Sequence, residues 1–257
     1  MITEPIPTTA LVTGAGKRVG RAIALDLAHH GWAVAVHYNT SGDDAEAVVA
    51  EITGQGGRAV AVQADLSRED QVAALTPQVT EALGPVGALV NNASIFERDD
   101  AVTATRESWD AHIETNLRAP FVLTQAFAAQ LPADAAGCVI NLIDQRVWNL
   151  THTFTSYTVS KAGLWTLTQT LALALAPRIR VNAVGPGPTL PSPRQSQEQF
   201  DRQCRSMPLA RGTSPHEICE AVRFLLSAPA MTGQMLALDG GQHLGWAQPA
   251  PDAEPEE

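Results

Sequence analysis

Short apolar runs alternate with longer stretches that carry apolar residues at helical spacing along most of the 257-residue chain. The run TTALVTG ends at a glycine, and apolar residues then recur every three or four positions in RVGRAIALDLAHHG, which predicts a strand followed by a helix. Further strands are predicted at WAVAVHYN, RAVAVQADLS, GALVNNAS, GCVINLID, IRVNAVGPG and QMLALDGG. Further helices are predicted at GDDAEAVVAEITGQG and at residues 68–83, 107–131 and 155–176, and helical segments are predicted from about residue 194 to 227. Strands that are separated by helices pair in parallel through right-handed crossovers. We therefore expect an α/β fold: a single Rossmann-like doubly wound domain over residues 1–247, with a seven-stranded parallel sheet flanked by helices.

Charge separates a short tail from this domain. The net charge is −10, and residues 248–257 form a Pro-rich acidic segment without a basic residue, which predicts a disordered tail. The rest of the chain is mildly acidic, which argues against binding to nucleic acid or to an anionic membrane.

The cysteines and histidines indicate no metal site. Cys138, Cys204 and Cys219 form no CxxC pair, and the seven histidines show no HExxH spacing. The first residues, MITEPIPTTA, are unlike a secretion signal, and no apolar run approaches the roughly 18 residues of a membrane span. These features favour a cytoplasmic protein with no membrane partner.

In a doubly wound sheet, ligands bind at the carboxyl ends of the strands, so the residues after each strand are the candidates for chemistry. The turn TGAGKRVG follows the first strand and opens the first helix, where backbone N–H groups can approach a pyrophosphate. Its glycines, Gly14, Gly16 and Gly20, do not follow GxGxxG spacing, and an ordinary glycine turn is the alternative. Lys17 and Arg18 lie at a helix N-terminus, which favours a bound phosphate because two cations there repel the helix dipole.

The end of the second strand favours NADP over NAD. An acidic residue usually binds the ribose hydroxyl of NAD at this point, but the sequence here is HYNTSGDD. The alternative is that Lys17 and Arg18 are solvated and that Asp43 or Asp44 reaches the ribose.

Two later strand ends carry further candidates. Asp65 could bind an adenine edge or cap the following helix, and the two interpretations have equal weight. The segment NNAS, residues 91–94, has small side chains that let a ligand approach the backbone.

Asn116 lies inside a predicted helix, where an amide competes with backbone bonding. A water relay or a helix kink would explain it, and an exposed inert side chain is the alternative.

Tyr157 and Lys161 are four residues apart and therefore neighbours on one helix face. A nearby ammonium lowers the pKa of a phenol from about 10 toward the range that is useful for proton transfer. Asp144, at the end of the fifth strand, is expected close to this pair.

Together these residues resemble the short-chain dehydrogenase/reductase family over residues 8–245, and PG after the sixth strand adds to the match. The resemblance implies that Asn116 is a relay, that Tyr157 donates or accepts a proton, and that Lys161 binds the ribose and lowers the pKa of the tyrosine. It implies a cofactor site made of Gly14, Lys17, Arg18, Val19, Tyr38, Asn39, Ser41, Asp65, Leu66, Asn92, Ala93, Ser94, Tyr157, Lys161, Pro186 and Gly187. Pro186 and Gly187 would flank the nicotinamide.

Two departures from the usual pattern resemble the pteridine reductase branch, which includes the dihydromonapterin reductases. Arg18 stands where the family has its middle glycine, and Asp144 stands where it has its catalytic serine. An ionised aspartate would repel an oxyanion, but it could help to protonate a ring nitrogen. The branch stacks its pterin on an aromatic residue that corresponds to Phe96, for which a loop anchor in the core is the alternative. The implied substrate site contains Arg18, Ser94, Phe96, Asp144 and Tyr157.

The sequence therefore predicts NADPH-dependent reduction of a pterin, such as a 7,8-dihydropterin. The strand-two loop lacks the arginine that protozoan pteridine reductases use for the phosphate of NADPH, which leaves Lys17, Arg18 and Ser41 for that task. A general carbonyl or 3-oxoacyl reductase is the alternative within the family, and a non-catalytic NADP-sensing protein is the alternative from another class. The resemblance also implies a homotetramer, and the ending GGQHLGW, with His243, is a candidate to reach a neighbouring subunit.

Overall fold

The structure is a computed structural model that describes residues 5–192 and 194–245. The seven strands are β1 (Thr9–Val12), β2 (Ala33–Tyr38), β3 (Ala59–Gln63), β4 (Ala88–Asn91), β5 (Gly137–Leu142), β6 (Ile179–Pro186) and β7 (Met235–Leu238). The eight helices are α1 (Arg18–His29), α2 (Gly42–Gly54), α3 (Glu69–Leu83), α4 (Arg106–Ile113), α5 (Ala119–Gln130), α6 (Thr155–Leu175), α7 (Gln197–Ser206) and α8 (Pro215–Ser227). The predicted tail over residues 248–257 lies outside the described residues.

All neighbouring strands pair in parallel, in the order β3-β2-β1-β4-β5-β6-β7. The predicted fold, a single α/β domain with a seven-stranded parallel sheet, is confirmed. Strand order reverses direction between β1 and β4, and the crevice at such a reversal is where ligands bind in this architecture.

The sheet is buried on both faces because alternate residues of each strand enter different layers. Ala10 and Val12 of β1 face α1, α2 and α8, where Ile23 and Ile52 belong to the same cluster. Leu11 faces α3, α5 and α6, in a cluster that includes Phe127. A strand buried on both faces is expected to be a continuous apolar run, and the runs in this sequence have that form.

One predicted helix is interrupted, and one predicted helical region consists of two separate helices. The helix expected over residues 107–131 consists of α4, a π-helical turn over Glu114–Arg118, and α5. The helical region expected over 194–227 consists of α7 and α8, each opened by a capping box in which a serine and the residue three positions later exchange bonds, which explains why each begins where it does. Among the described residues, no helix has the length and apolarity required to cross a membrane.

Candidate active site

The glycine turn after β1 is closely packed. Gly14 has φ +62°, and a Cβ on Gly20 would lie 2.2 Å from the carbonyl oxygen of Gly14 and 2.5 Å from Nδ2 of Asn92. Nδ2 of Asn92 donates to the carbonyl oxygens of Thr13 at 2.8 Å and Gly14 at 3.2 Å. The turn thus leaves room only for glycine at the start of α1, and this cradle fits the pyrophosphate of a dinucleotide.

Lys17 and Arg18 both have partners within the chain. Nζ of Lys17 lies 2.8 Å from Oδ2 of Asp44, and the Arg18 guanidinium donates to the carbonyl oxygens of Leu190 at 3.2 Å and Pro191 at 3.0 Å. The argument that these two cations require an added anion is therefore weaker than the sequence indicated. Lys17 and Arg18 remain exposed, so a phosphate can compete with their present partners.

The backbone conformation at Arg18 favours glycine, the residue that the family pattern has at this position. Its φ is +52°, in the left-handed region that a residue with a Cβ adopts at a cost of roughly 1–2 kcal/mol. The side chain is directed toward Leu190 and Pro191, whose carbonyl oxygens accept its two hydrogen bonds.

A surface depression lies beyond the end of β2. Its lining consists of Lys17, Tyr38, Thr40, Ser41, Gly42, Asp43 and Asp44. Three residues predicted to bind the cofactor, Lys17, Tyr38 and Ser41, are brought together here, while the Asn39 carbonyl oxygen instead accepts from Nε2 of Gln63 at 3.3 Å.

His37 is a residue of this region that the sequence argument missed. The side chain is 1% exposed; its Nδ1 accepts from the backbone N of Gly14 at 3.1 Å, so its Nε2 donates to the carbonyl oxygen of Ala64 at 3.1 Å. Burial lowers the pKa of His37 from 6.5 to about 4. A neutral imidazole therefore connects the glycine turn to the end of β3. Its position inside an apolar strand gave no sign of this contact.

Asp65 caps a local turn and not α3. Its Oδ1 accepts from the backbone N of Ser67 at 2.9 Å and from Ser67 Oγ at 2.8 Å, and these bonds hold the pKa of the carboxyl below its usual value. Helix α3 begins later, at Glu69, with Arg68 as its N-cap residue. The helix-cap interpretation of Asp65 was therefore wrong, and the adenine contact stays a prediction. Neighbouring Leu66 is buried.

Asn116 lies at the centre of the π-helical turn and is 0% exposed. Its Oδ1 accepts from the backbone N of Ile95 at 2.8 Å and from Ser94 Oγ at 3.2 Å. Its Nδ2 donates to the Ile95 carbonyl oxygen at 2.9 Å and to Ser160 Oγ at 3.1 Å. The amide thus ties the loop after β4 to α6, and its exposed-side-chain alternative was wrong. π-helical turns are frequent at functional sites.

Asp144, Tyr157 and Lys161 meet below the carboxyl end of β5. Oδ1 of Asp144 accepts from the backbone N of Arg146 at 2.8 Å, and Oδ2 accepts from the Tyr157 hydroxyl at 2.9 Å. Lys161, 2% exposed, donates from Nζ to the Leu142 carbonyl oxygen at 2.8 Å. Burial lowers the pKa of Lys161 to about 8, against the opposing effect of Asp144. The lysine is still mostly cationic at neutral pH.

Phe96 lies half-buried against two aromatic rings. It stacks on Phe154 with a centroid distance of 4.4 Å and an interplanar angle of 9°, and it meets Tyr157 edge-on at 4.7 Å. The Arg194 guanidinium carbon lies 5.4 Å from the ring centre, and its Nη2 donates to the Phe96 carbonyl oxygen at 2.7 Å. One face of Phe96 is therefore covered by Phe154, and any stacked ligand must use the other face.

The remaining candidates border this site. Ala93 donates from its backbone N to Thr13 Oγ1 at 3.0 Å, and Val19 packs beside the core cluster that contains α1. Gly187, after Pro186, donates to the Leu238 carbonyl oxygen at 3.0 Å.

His243 follows β7. Its Nδ1 lies 2.7 Å from Oδ2 of the buried Asp239, and its ring meets Trp148 at 5.3 Å. The described residues comprise one subunit, so contact with a neighbour stays a prediction.

The parallel sheet, the glycine turn at its point of reversal and the Tyr157–Lys161 pair, in which Nζ of Lys161 lies 5.8 Å from the centre of the Tyr157 ring, define an oxidoreductase with a Rossmann-type cofactor site. A family model described as Enoyl-(Acyl carrier protein) reductase matches residues 14–243. The chain belongs to the short-chain dehydrogenase/reductase family, and that part of the prediction is confirmed.

Similar proteins carry two different descriptions. The crystal structure of FolM Alternative dihydrofolate reductase 1 from Brucella suis, in complex with NADP, is 49% identical, covers 94% of this chain and 97% of that chain, and has a TM-score of 0.91. The protein of the same description from Brucella canis, complexed with NADP, is 47% identical, covers 99% of this chain and 100% of that chain, and has a TM-score of 0.92. The 3-oxoacyl-[acyl-carrier-protein] reductase FabG of Staphylococcus epidermidis is 37% identical and covers 92% of this chain and 99% of its own length.

Proposed function

We propose that the protein reduces a pterin, of the dihydropterin class, with NADPH. The observation that carries this proposal is the hydrogen bond of 2.9 Å from the Tyr157 hydroxyl to Asp144 Oδ2. It puts a carboxylate beside the tyrosine that would donate the proton, at the position where the family pattern has a serine. The likeness to two FolM proteins described as alternative dihydrofolate reductases supports the same substrate class.

The cofactor is NADPH, as in the two NADP complexes that this fold matches. The glycine turn would hold its pyrophosphate, and the depression lined by Lys17, Tyr38 and Ser41 would hold its adenosine phosphate. Bound there, the cofactor supplies a hydride. The neutral His37 keeps the backbone N of Gly14 in place.

The chain's own residues then handle the proton. A carbonyl that accepts hydride develops negative charge on oxygen, and an ionised Asp144 in contact with Tyr157 would repel it. A ring nitrogen is more basic than a carbonyl oxygen, so it can gain its proton before or as the hydride arrives, and then no anion forms beside the carboxylate. The Tyr157 hydroxyl, which donates to Asp144, would pass that proton to the ring nitrogen, and the cationic Lys161 would offset the negative charge left on the Asp144–Tyr157 pair until solvent returns a proton.

The pterin ring would stack on the face of Phe96 that Phe154 does not cover, close to the guanidinium groups of Arg194 and Arg146, whose carbons lie 5.4 Å and 5.9 Å from the ring centre. The other face of Phe96 rests on Phe154, which fixes the ring plane, and a rigid aromatic surface favours a flat heterocycle. The interpretation of Phe96 as a loop anchor is compatible with stacking, because the same ring can do both.

A 3-oxoacyl reductase is the second candidate, and the 37% identity with FabG over nearly the full length favours it. Asn116, Tyr157 and Lys161 are all present, as that reaction requires. The presence of these three residues argues against the third candidate, a non-catalytic NADP-sensing protein.

Replacing Asp144 with serine tests the proposal. We expect Asp144→Ser to lower kcat/KM for a dihydropterin by about a hundredfold, since one group that acts in proton transfer contributes on the order of 10²–10⁴. The Kd of NADPH should not change, and activity toward a 3-oxoacyl thioester should rise. Equal loss of pterin turnover and NADPH binding would mean that Asp144 is structural.

We also propose a homotetramer in a reducing cytoplasm. The assembly is carried over from the family, and the free thiols of Cys138, Cys204 and Cys219 fit such a compartment. Size-exclusion chromatography with light scattering would test the assembly.

A further inference from the structure

A buried hydrogen-bonded cluster joins the loop between β4 and α4 to the first turn of α6. Asp99 is 3% exposed, and Ser156 and His112 are 0% exposed. Asp99 Oδ1 accepts from the backbone N of Ser156 at 3.1 Å. Asp99 Oδ2 accepts from Ser156 Oγ and, at 3.2 Å, from Ser108 Oγ of α4. One carboxylate therefore connects the loop to two helices.

His112 completes the cluster from α4. Its Nε2 accepts from the backbone N of Glu97 at 3.1 Å, so the hydrogen of its neutral ring is on Nδ1. That Nδ1 lies 2.7 Å from Ser156 Oγ and 2.9 Å from the Ser108 carbonyl oxygen. Ser156 Oγ thus accepts from His112 and donates to Asp99, which gives each of these side chains a partner.

The cluster supplies a cap that α6 does not provide itself. The N-cap residue of α6 is Phe154, which has φ 60° and an apolar side chain. The first N–H groups of a helix need acceptors, and a negative charge at that end is favourable. Asp99 gives this acceptor to Ser156, the residue directly before Tyr157.

Asp99 also fixes the loop that carries Phe96. Its carbonyl oxygen accepts from the backbone N of Phe154 at 2.6 Å. Phe154 in turn stacks on Phe96, whose edge-on contact with Tyr157 spans 4.7 Å between centroids. The same residue therefore holds the aromatic surface of the loop and the start of the helix that carries the reactive tyrosine.

We propose that Asp99 is a positioning residue that sets Tyr157 and Phe96 relative to each other. Its carboxylate acts on Tyr157 through the backbone and hydroxyl of Ser156, and its carbonyl oxygen acts on Phe96 through Phe154. The proposal depends on the oxidoreductase activity of the family and not on the choice of pterin as substrate.

The test compares Asp99→Ala, Asp99→Asn and Ser156→Ala with Asp100→Asn. Asp100 is the matched control, because among the described residues its Oδ1 accepts from the backbone N of Val102 and of Thr103, at 2.8 Å each, both within its own turn. For every variant we would measure the Kd of NADPH by fluorescence, and KM and kcat with whichever of a dihydropterin or a 3-oxoacyl thioester the wild-type enzyme reduces.

Asp99→Ala should raise KM and lower kcat at least about tenfold each, since small misplacements of reacting groups can change rates by about a hundredfold. The Kd of NADPH should stay at the wild-type value, because the glycine turn is held by other contacts. Asp99→Asn keeps an acceptor for the Ser156 backbone and should restore part of the activity. Asp100→Asn should match wild type.

Wild-type KM and kcat in folded Asp99→Ala would overturn the proposal, even if that variant melts earlier. If Asp99→Ala does not fold, Ser156→Ala decides: unchanged constants contradict the proposal, and a fall in kcat supports it. If the wild-type enzyme reduces neither substrate, the pterin assignment fails. The role of Asp99 is then tested by measuring hydrogen exchange of the backbone amides of Ser156 and Tyr157. Faster exchange in Asp99→Ala than in wild type supports the cap, and unaltered exchange in Asp99→Ala refutes it.

Discussion

Acidification should destabilise this protein through His37. The imidazole is 1% exposed, and both ring nitrogens are committed, Nδ1 as acceptor for Gly14 and Nε2 as donor to Ala64. Burial lowers its pKa from 6.5 to about 4, so between these values the unfolded chain binds a proton that the folded protein does not. Stability is therefore lost as pH falls through this window. A shift of this size corresponds to a loss of about 3 kcal/mol in the free energy of unfolding.

The assay is urea unfolding of wild type, His37→Gln and His152→Gln at pH 7 and at pH 4. Glutamine retains a donor and an acceptor but does not titrate, so His37→Gln should lose about 3 kcal/mol less than wild type on acidification. His152 is exposed, and His152→Gln should follow wild type. The same acid loss in wild type and His37→Gln would refute the assignment of this effect to His37.

Three further predictions follow from the site. Burial lowers the pKa of Lys161 from 10.5 to about 8, so the free energy of unfolding should rise by up to about 3 kcal/mol as pH increases from 8 to 10.5. Lys161→Met should show no such rise in the free energy of unfolding. The reductase activity of the wild-type enzyme should fall over the same pH range, because Lys161 loses its charge. Gly20→Ala would bring a Cβ 2.2 Å from the Gly14 carbonyl oxygen, so we expect about 1–3 kcal/mol of destabilisation and weaker NADPH binding. Gly31→Ala is the control: its added Cβ would have no atom within 4 Å, and NADPH binding should not change. Arg18→Gly should leave the free energy of unfolding within about 1 kcal/mol of wild type in a denaturant titration, because the relief of backbone strain at φ +52° offsets the loss of two exposed hydrogen bonds. The same variant should raise the Kd of NADPH.

The sequence predicted the fold well because the sheet is parallel and buried. Runs such as TTALVTG lose contact with water on both faces, so the inner strands are short apolar stretches between helices, while the edge strands β3 and β7 are half-buried. The candidate residues at the strand ends could be predicted from that topology, because the carboxyl ends of parallel strands lie at one edge of the sheet, where ligands bind. Tyr157 and Lys161 were predictable as a pair from helical spacing alone.

What the sequence could not predict depends on contacts between distant segments. Asp99 and Ser156 are 57 positions apart in sequence, and neither belongs to a spacing that indicates a shared role. The π-helical turn at Asn116 adds one residue to a helical pattern that looks continuous, so it is visible only in the backbone. The pairing of Lys17 with Asp44 likewise required the fold, because it joins two helix N-termini that only the sheet brings together.

The most direct test of the proposed function is the rate of NADPH oxidation by the wild-type enzyme, measured with a dihydropterin and, in parallel, with a 3-oxoacyl thioester. NADH serves as the control for cofactor choice. The contact between Asp144 and Tyr157 predicts fast turnover of the dihydropterin with NADPH and little turnover of the thioester. Turnover of the thioester alone would contradict the pterin assignment and make Asp144 a structural residue in a carbonyl reductase.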